Sequence, residues 1–314
     1  MLVAITGGTG FIGTKLVRRH LEVGDKVRVI SRRAKQDIPF RNSVELFSGD
    51  ITLKSKSTSA FVDGVDILYH CAGEISHPGK IVSTNVEGTE YLSSIAAGKI
   101  GHWVQLGSVG VYGTHFNGVV TEDTPLNPLD LYEKTKAMSD DIVEKAGRRG
   151  SFTYAILRPS GVFSPSMKNQ SLFQMTEMID KGFFFFIGKP GALMNYIHVD
   201  NVVEGLVRCG RMSSAINRIY NLSDCWTIEE FVKIIVDELS RPFPKFRLPK
   251  ALMQVFSAIL GRLPGFPLTE SRVRWLTNRS HYSIERINQD LGYVHLVSME
   301  DGLRQMVRKW KQDA

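Results

Sequence analysis

The chain has 314 residues, 43% hydrophobic and 23% charged, with a formal net charge of +7. That balance suits a globular protein with a sizeable core and excludes a disordered or collagenous chain. Three cysteines, Cys71, Cys209 and Cys225, form no CxxC pair, which argues against both a disulfide framework and a structural zinc site.

In chain order, Met1 leads straight into an apolar strand at Leu2–Thr6 with no basic leader, so a reducing, cytoplasmic setting is expected. An amphipathic helix is predicted over Phe11–Val23 and a second strand over Lys26–Ile30. Val44–Phe47, Ile67–Cys71, Trp103–Leu106 and Thr153–Leu157 continue the strand series, with helical patterns over Ser83–Ala97 and Leu131–Ala146. Alternation of this kind predicts an α/β fold, a Rossmann-like doubly wound parallel sheet.

After Pro159 the pattern changes. Loops at Ser164–Ser166, Gly188–Gly191, Arg241–Pro249 and Leu263–Pro267 break up helical segments. We therefore expect a doubly wound domain over 1–160 and a smaller C-terminal substrate-binding domain over 161–314. Strand-like Asn195–Val199 and Arg218–Asn221 are expected to return to the main sheet, near 195–222. The longest apolar runs, Phe183–Ile187 and Ala251–Leu260, are too short to span a bilayer. Between Arg241 and Arg286 stand nine lysines and arginines against two acids, Glu270 and Glu285. This stretch reads as a solvated basic face, a clamp for an anionic substrate, or a surface for an acidic membrane. No nucleic-acid module accompanies it, so nucleic acid is not an expected partner.

Thr6-Gly7-Gly8-Thr9-Gly10-Phe11-Ile12-Gly13 places a GxxGxxG between a strand and a helix. Glycines there let the chain turn tightly and let its backbone approach a pyrophosphate on the helix N-terminus. A glycine triplet alone marks only a turn; its position gives it the binding reading. No histidine spacing fits a metal site, and His70 and His198, beside apolar strand residues, are expected to be packed.

This opening resembles the extended short-chain dehydrogenase/reductase family of NAD-dependent epimerase/dehydratase type. Five further segments match that pattern in order: His70-Cys71-Ala72-Gly73, Thr84-Asn85-Val86-Glu87-Gly88-Thr89, Leu106-Gly107-Ser108-Val109-Gly110-Val111-Tyr112-Gly113, Tyr132-Glu133-Lys134-Thr135-Lys136 and Leu157-Arg158-Pro159. Tyr196-Ile197-His198-Val199-Asp200 is a later landmark. The resemblance implies a catalytic set of Ser108, Tyr132 and Lys136. It also implies cofactor contacts from Gly7, Gly10, Phe11, Ile12, Gly13, Asp50, Ile51, Cys71, Ala72, Gly73, Asn85, Tyr132, Lys136 and Pro159. Family members commonly dimerise through the helices expected at 83–97 and 131–146, which implies a homodimer.

The chemistry agrees. Hydride transfer between a carbinol and a nicotinamide needs a proton moved at the oxygen, and a free tyrosine titrates near pH 10. Lys136 lies four residues after Tyr132 on one helical face, so its charge is expected to favour the phenolate. Ser108, at a strand end, would hydrogen-bond the reacting oxygen. At the end of the second strand stand Ser31-Arg32-Arg33, with no acid to hold the ribose hydroxyls. That points to NADP through Arg32 and Arg33, with NAD the alternative.

Val109 and Gly110 follow the serine where family 4,6-dehydratases carry Asp-Glu, so a 4,6-dehydratase is not expected. The leading expectation is a nucleotide-sugar 4-ketoreductase or 4-epimerase, with Arg272 and Arg274 clamping the diphosphate. The alternative is a reductase or dehydrogenase of a lipophilic ketone or alcohol, of 3-beta-hydroxysteroid or dihydroflavonol type. Val199-Asp200-Asn201-Val202 and the apolar Leu248–Phe266 stretch resemble steroid-type members of the family, which favours it. A non-catalytic NADP-binding regulator is a third reading, against which the intact Ser108, Tyr132 and Lys136 stand.

Overall fold

The structure, a computed structural model, describes residues 1–113, 117–167, 170–253 and 270–313. Seven parallel strands form its centre: β1 (Leu2–Thr6), β2 (Lys26–Ser31), β3 (Glu45–Ser48), β4 (Val65–His70), β5 (Ile100–Leu106), β6 (Thr153–Pro159) and β7 (Arg218–Leu222). Their order is β7-β6-β5-β4-β1-β2-β3, the doubly wound arrangement expected. The order of the strands reverses between β1 and β4, the point at which such sheets open a cleft at their carboxyl ends.

The inner strands β1, β4, β5 and β6 are buried along most of their length, so they read as nearly continuous apolar runs, whereas the edge strand β3 is partly exposed. On one side Val3 and Ile5 of β1 pack with Leu16 and Val17 of helix α1 (Phe11–Glu22) and with Val202 and Leu206 of the Val199–Arg211 helix. On the other, Ala4 packs with Phe61, Leu92 and Val143, which belong to helices at Lys56–Phe61, Gly88–Ala96 and Leu131–Arg148. Ile287, Leu291 and Tyr293, far along the chain, also join the first of these clusters.

Two local details depart from expectation. The helix predicted from Ser83 begins at Pro78, whose missing N–H suits a first turn. It runs through a π-helical segment at Ser83–Glu87 into Gly88–Ala96. The strand expected at Asn195–Val199 forms at Leu193–His198 but does not return to the main sheet. It pairs parallel to Gly161–Phe163 and antiparallel to Asp224–Thr227 in a separate three-stranded sheet. Arg218–Leu222 does return, as β7.

That smaller sheet is covered by helices Gln170–Asp180, Ile228–Leu239 and Met299–Asp313, with Phe163, Leu172, Tyr196, Phe231, Leu303 and Met306 at its centre. A further pair of strands, Asn117–Val120 and Arg279–Tyr282, brings the C-terminal third beside the carboxyl end of β5. No helix among the described residues is long and apolar enough to cross a membrane.

Candidate active site

The turn after β1 accepts only glycine at its critical points. Gly7 has φ +66, and a Cβ there would lie 2.7 Å from the Cys71 and Ala72 backbone. A Cβ on Gly13 would collide with the Gly7 carbonyl. Gly10 caps helix α1 without a side-chain hydrogen bond, so the first amides of a twelve-residue helix remain available to an anion. These features fit the diphosphate of a dinucleotide.

Two adjoining cavities meet at that turn. One, about 240 Å³, is lined by Thr9, Ser31, Arg32, Arg33, Asp50 and Ile51, with Gly7, Gly10 and Cys71-Ala72-Gly73 on its inner wall. Arg32 lies 3.7 Å from the Asp50 carboxylate, which also accepts from the Thr52 amide and hydroxyl. The other, about 630 Å³, shares the glycines and the 71–73 loop and reaches Phe11, Ile12, Ser108, Tyr132, Lys136 and Pro159.

The catalytic candidates converge from three elements. Ser108 follows β5 and opens a 3-10 turn, its oxygen accepting from the Gly110 amide at 3.1 Å. Tyr132 and Lys136 stand on the Leu131–Arg148 helix, whose start is fixed by a capping box between Asp130 and Glu133. The Ser108 side chain lies close enough to the Tyr132 phenol to favour its ionised form. The Lys136 ammonium donates to the Leu106 carbonyl at 2.5 Å. Burial holds the Tyr132 phenol above its ordinary value, partly offset by Ser108. Burial also lowers Lys136, opposed by Asp140. Burial, and not the lowering expected from Lys136, therefore sets the direction for Tyr132, and the ammonium is directed to the Leu106 carbonyl.

Behind these groups lies a buried polar brace. Arg158, 2% exposed, donates to Asp140 and to the Tyr112 hydroxyl, each at 2.9 Å, and Tyr112 donates to Asn221 at 2.9 Å. Burial works against the arginine's charge, but Asp140 and Tyr112 together more than offset it. One pair therefore joins the Tyr132 helix to the turn that carries Ser108.

Other expectations resolve as follows. His70 is packed: its ring bonds Thr6 at 2.7 Å and Thr89 at 3.0 Å, and burial lowers its pKa to about 3. His198 is buried likewise. Burial pushes the Cys71 thiol up to about 12, so it presents a neutral wall to both cavities. Asn85, expected at the cofactor, lines neither cavity. Its amide accepts from the Glu74 N–H and donates to the Glu74 carbonyl and Thr135, satisfying the loop backbone behind the site. Arg274 is exposed and is not among the cavity's lining residues, while the side chain of Arg272 lies outside the described residues. So does 254–266 of the apolar 248–266 stretch.

Within 241–286 most described arginines are engaged elsewhere. Arg241 pairs with Asp180, Arg247 with Glu229 and Arg286 with Asp123, and Arg279 donates to the Lys189 and Pro190 carbonyls. Sequence reasoning missed Glu133, Leu193, Asn195, Trp275, Asn278 and Tyr282, which line the larger cavity. Only Glu133, beside Tyr132, carried a local signal.

A dinucleotide cradle, a Ser-Tyr-Lys constellation and a doubly wound sheet define an NAD(P)-dependent oxidoreductase or epimerase. The sequence matches the NAD dependent epimerase/dehydratase family over residues 3–223, and the chain belongs to that family. It is 30% identical to human "Short-chain dehydrogenase/reductase family 42E member 1", covering 93% of this chain and 83% of that protein. It is 28% identical to "3 beta-hydroxysteroid dehydrogenase/Delta 5-->4-isomerase" of Mycobacterium tuberculosis, covering 96% and 88%. The fold is similar to that of UDP-glucuronic acid 4-epimerase from Bacillus cereus, solved in complex with NAD. The TM-score is 0.79 at 18% identity, over 99% of each chain.

Proposed function

We propose that the protein interconverts a secondary hydroxyl and a ketone on a lipophilic molecule, using NADP. The observation that carries this reading is the lining of the larger cavity. Phe11, Ile75, Val109, Val162, Met167 and Trp275 are typical of it, and among the described residues Lys136 is its only cationic side chain. A nucleotide sugar brings two phosphates, whose recognition calls for cations or amides aimed at them. An apolar wall with a few convergent polar groups suits a lipophilic substrate better. The human and mycobacterial relatives lend further support, the second being named for a hydroxysteroid. Likeness to UDP-sugar enzymes at under 25% identity speaks for the fold alone.

Each residue then has a task. Tyr132 passes a proton to or from the reacting oxygen, and Ser108 hydrogen-bonds that oxygen and orients it. Lys136, held at the Leu106 carbonyl, would hold the nicotinamide ribose. When bound, the nicotinamide supplies or accepts the hydride. Phe11, Val109 and Trp275 keep water from the reacting carbon. Arg32 and Arg33 receive the 2′-phosphate that distinguishes NADP, with Ser31 beside them. The Leu131–Arg148 and Gly88–Ala96 helices are the proposed homodimer face, where Leu131 and Met138 are exposed.

The test is turnover on a panel of hydrophobic secondary alcohols and ketones, with Tyr132→Phe as control. Cofactor reduction or oxidation that the variant abolishes supports the reading. Turnover confined to nucleotide sugars overturns it.

A further inference from the structure

None of the described lysines and arginines of the 241–286 stretch lines the larger cavity, and part of the stretch forms a surface of its own. Phe186–Ile187 and Arg247–Leu248 pair as parallel strands. The Phe186 amide donates to the Phe246 carbonyl at 2.9 Å and the Gly188 amide to the Leu248 carbonyl at 2.8 Å. Residues 181–189 and 241–253, which contain these strands, carry six lysines and arginines and no acid. Lys181, Arg241 and Arg247 are ion-paired with Glu177, Asp180 and Glu229. Lys189, Lys245 and Lys250 are exposed and make no ion pair among the described residues.

The same two segments hold apolar side chains out in solvent. Phe246 is 80% exposed and Phe183 69%, with Phe243 and Leu252 exposed nearby in sequence. Strand alternation explains Phe246: its neighbour Arg247 turns inward over the Phe186 ring, 4.7 Å from the centroid, so Phe246 points outward. Phe184 and Phe186, buried edge-to-face at 5.3 Å, give the surface a rigid base.

We propose that this face docks on an anionic lipid bilayer. Phe183 and Phe246 enter the interface, and Lys189, Lys245 and Lys250 meet the headgroup phosphates. Exposed aromatic side chains beside lysines that make no ion pair among the described residues, with the neighbouring Glu177, Asp180 and Glu229 held by other cations, have the chemistry of an interfacial anchor. A second copy, docking the same patch on itself, would bring lysines against lysines. A soluble anion would satisfy the lysines but leave both phenylalanines in water. The face is one helix from the active site: Val273 packs with Ile187 and Met253, while Trp275 of the same helix lines the larger cavity. The inference rests on this surface alone and not on the reading of the substrate.

The test is cosedimentation of the full chain with vesicles of phosphatidylcholine alone or with about one-third phosphatidylserine. Binding to the anionic vesicles, weakened at about 1 M salt, is expected. Lys245→Glu with Lys250→Glu should cut partitioning about tenfold or more. Phe183→Ser with Phe246→Ser should cut it at low salt too, with melting temperature and cofactor binding unchanged in both variants. The proposal is overturned by failure to bind either vesicle or by equal binding of the variants. It is also overturned if glycerophosphoserine alone occupies the lysines as tightly, or if light scattering shows a dimer that Phe246→Ser dissolves.

Discussion

Lys136 donates to the carbonyl of Leu106, two residues before Ser108, so the helix bearing Tyr132 is tied directly to the strand end that presents the serine. The lysine thereby fixes the spacing between the proton-transfer group and the group that orients the oxygen.

Tyr132→Phe should fold and bind cofactor normally but lose roughly 10²–10⁴ in turnover, the usual contribution of positioned proton transfer. The pH dependence has a definite sign. Burial raises the phenol's pKa, so at neutral pH Tyr132 is protonated and ready to donate, as reduction of a ketone requires. Oxidation of the alcohol requires the phenolate and should speed up as pH rises, while reduction slows. Profiles of kcat/KM in both directions check this; parallel profiles would contradict it.

Asp140→Ala should be strongly destabilising, by about 3–5 kcal/mol, because it leaves the Arg158 charge buried and unpaired. Asp140→Leu combined with Arg158→Met should cost much less, since neither charge is then stranded. Urea unfolding measures both. A similar, small loss in the two variants would show that the pair does not brace the site.

Local features of the site were legible in the sequence because they are local: the glycine turn is one strand-to-helix crossing, and Tyr132 and Lys136 are one helical turn apart. The sheet was legible for a related reason, since strands buried on both faces are short continuous apolar runs. What escaped was long-range. Trp275, Asn278 and Tyr282 reach the cavity because Arg279–Tyr282 pairs with Asn117–Val120, a register no local pattern announces. Asn85 sits in a recognisable motif, yet its amide satisfies the Glu74 backbone, a demand set by the fold of the 71–75 loop. Leu193–His198 looked like any other sheet strand, and only its partners, Gly161–Phe163 and Asp224–Thr227, removed it from the main sheet.

Arg32→Ala with Arg33→Ala should weaken NADP binding far more than NAD binding, since only NADP carries the 2′-phosphate. Fluorescence titration with both cofactors reads the ratio. Equal losses, or a wild-type preference for NAD, would reverse the assignment of this cavity end.

On the proposed function the larger cavity takes a lipophilic molecule and not a nucleotide diphosphate. Calorimetry on the cofactor-loaded protein, titrated in parallel with a polycyclic hydrophobic ketone and with uridine and guanosine diphosphates, tests it most directly. The ketone is expected to bind with a negative heat-capacity change, as burial of apolar surface requires, and the nucleotides are expected not to bind. Salt-sensitive binding of a nucleoside diphosphate, with no binding of the ketone, would contradict it and return the nucleotide-sugar reading to first place.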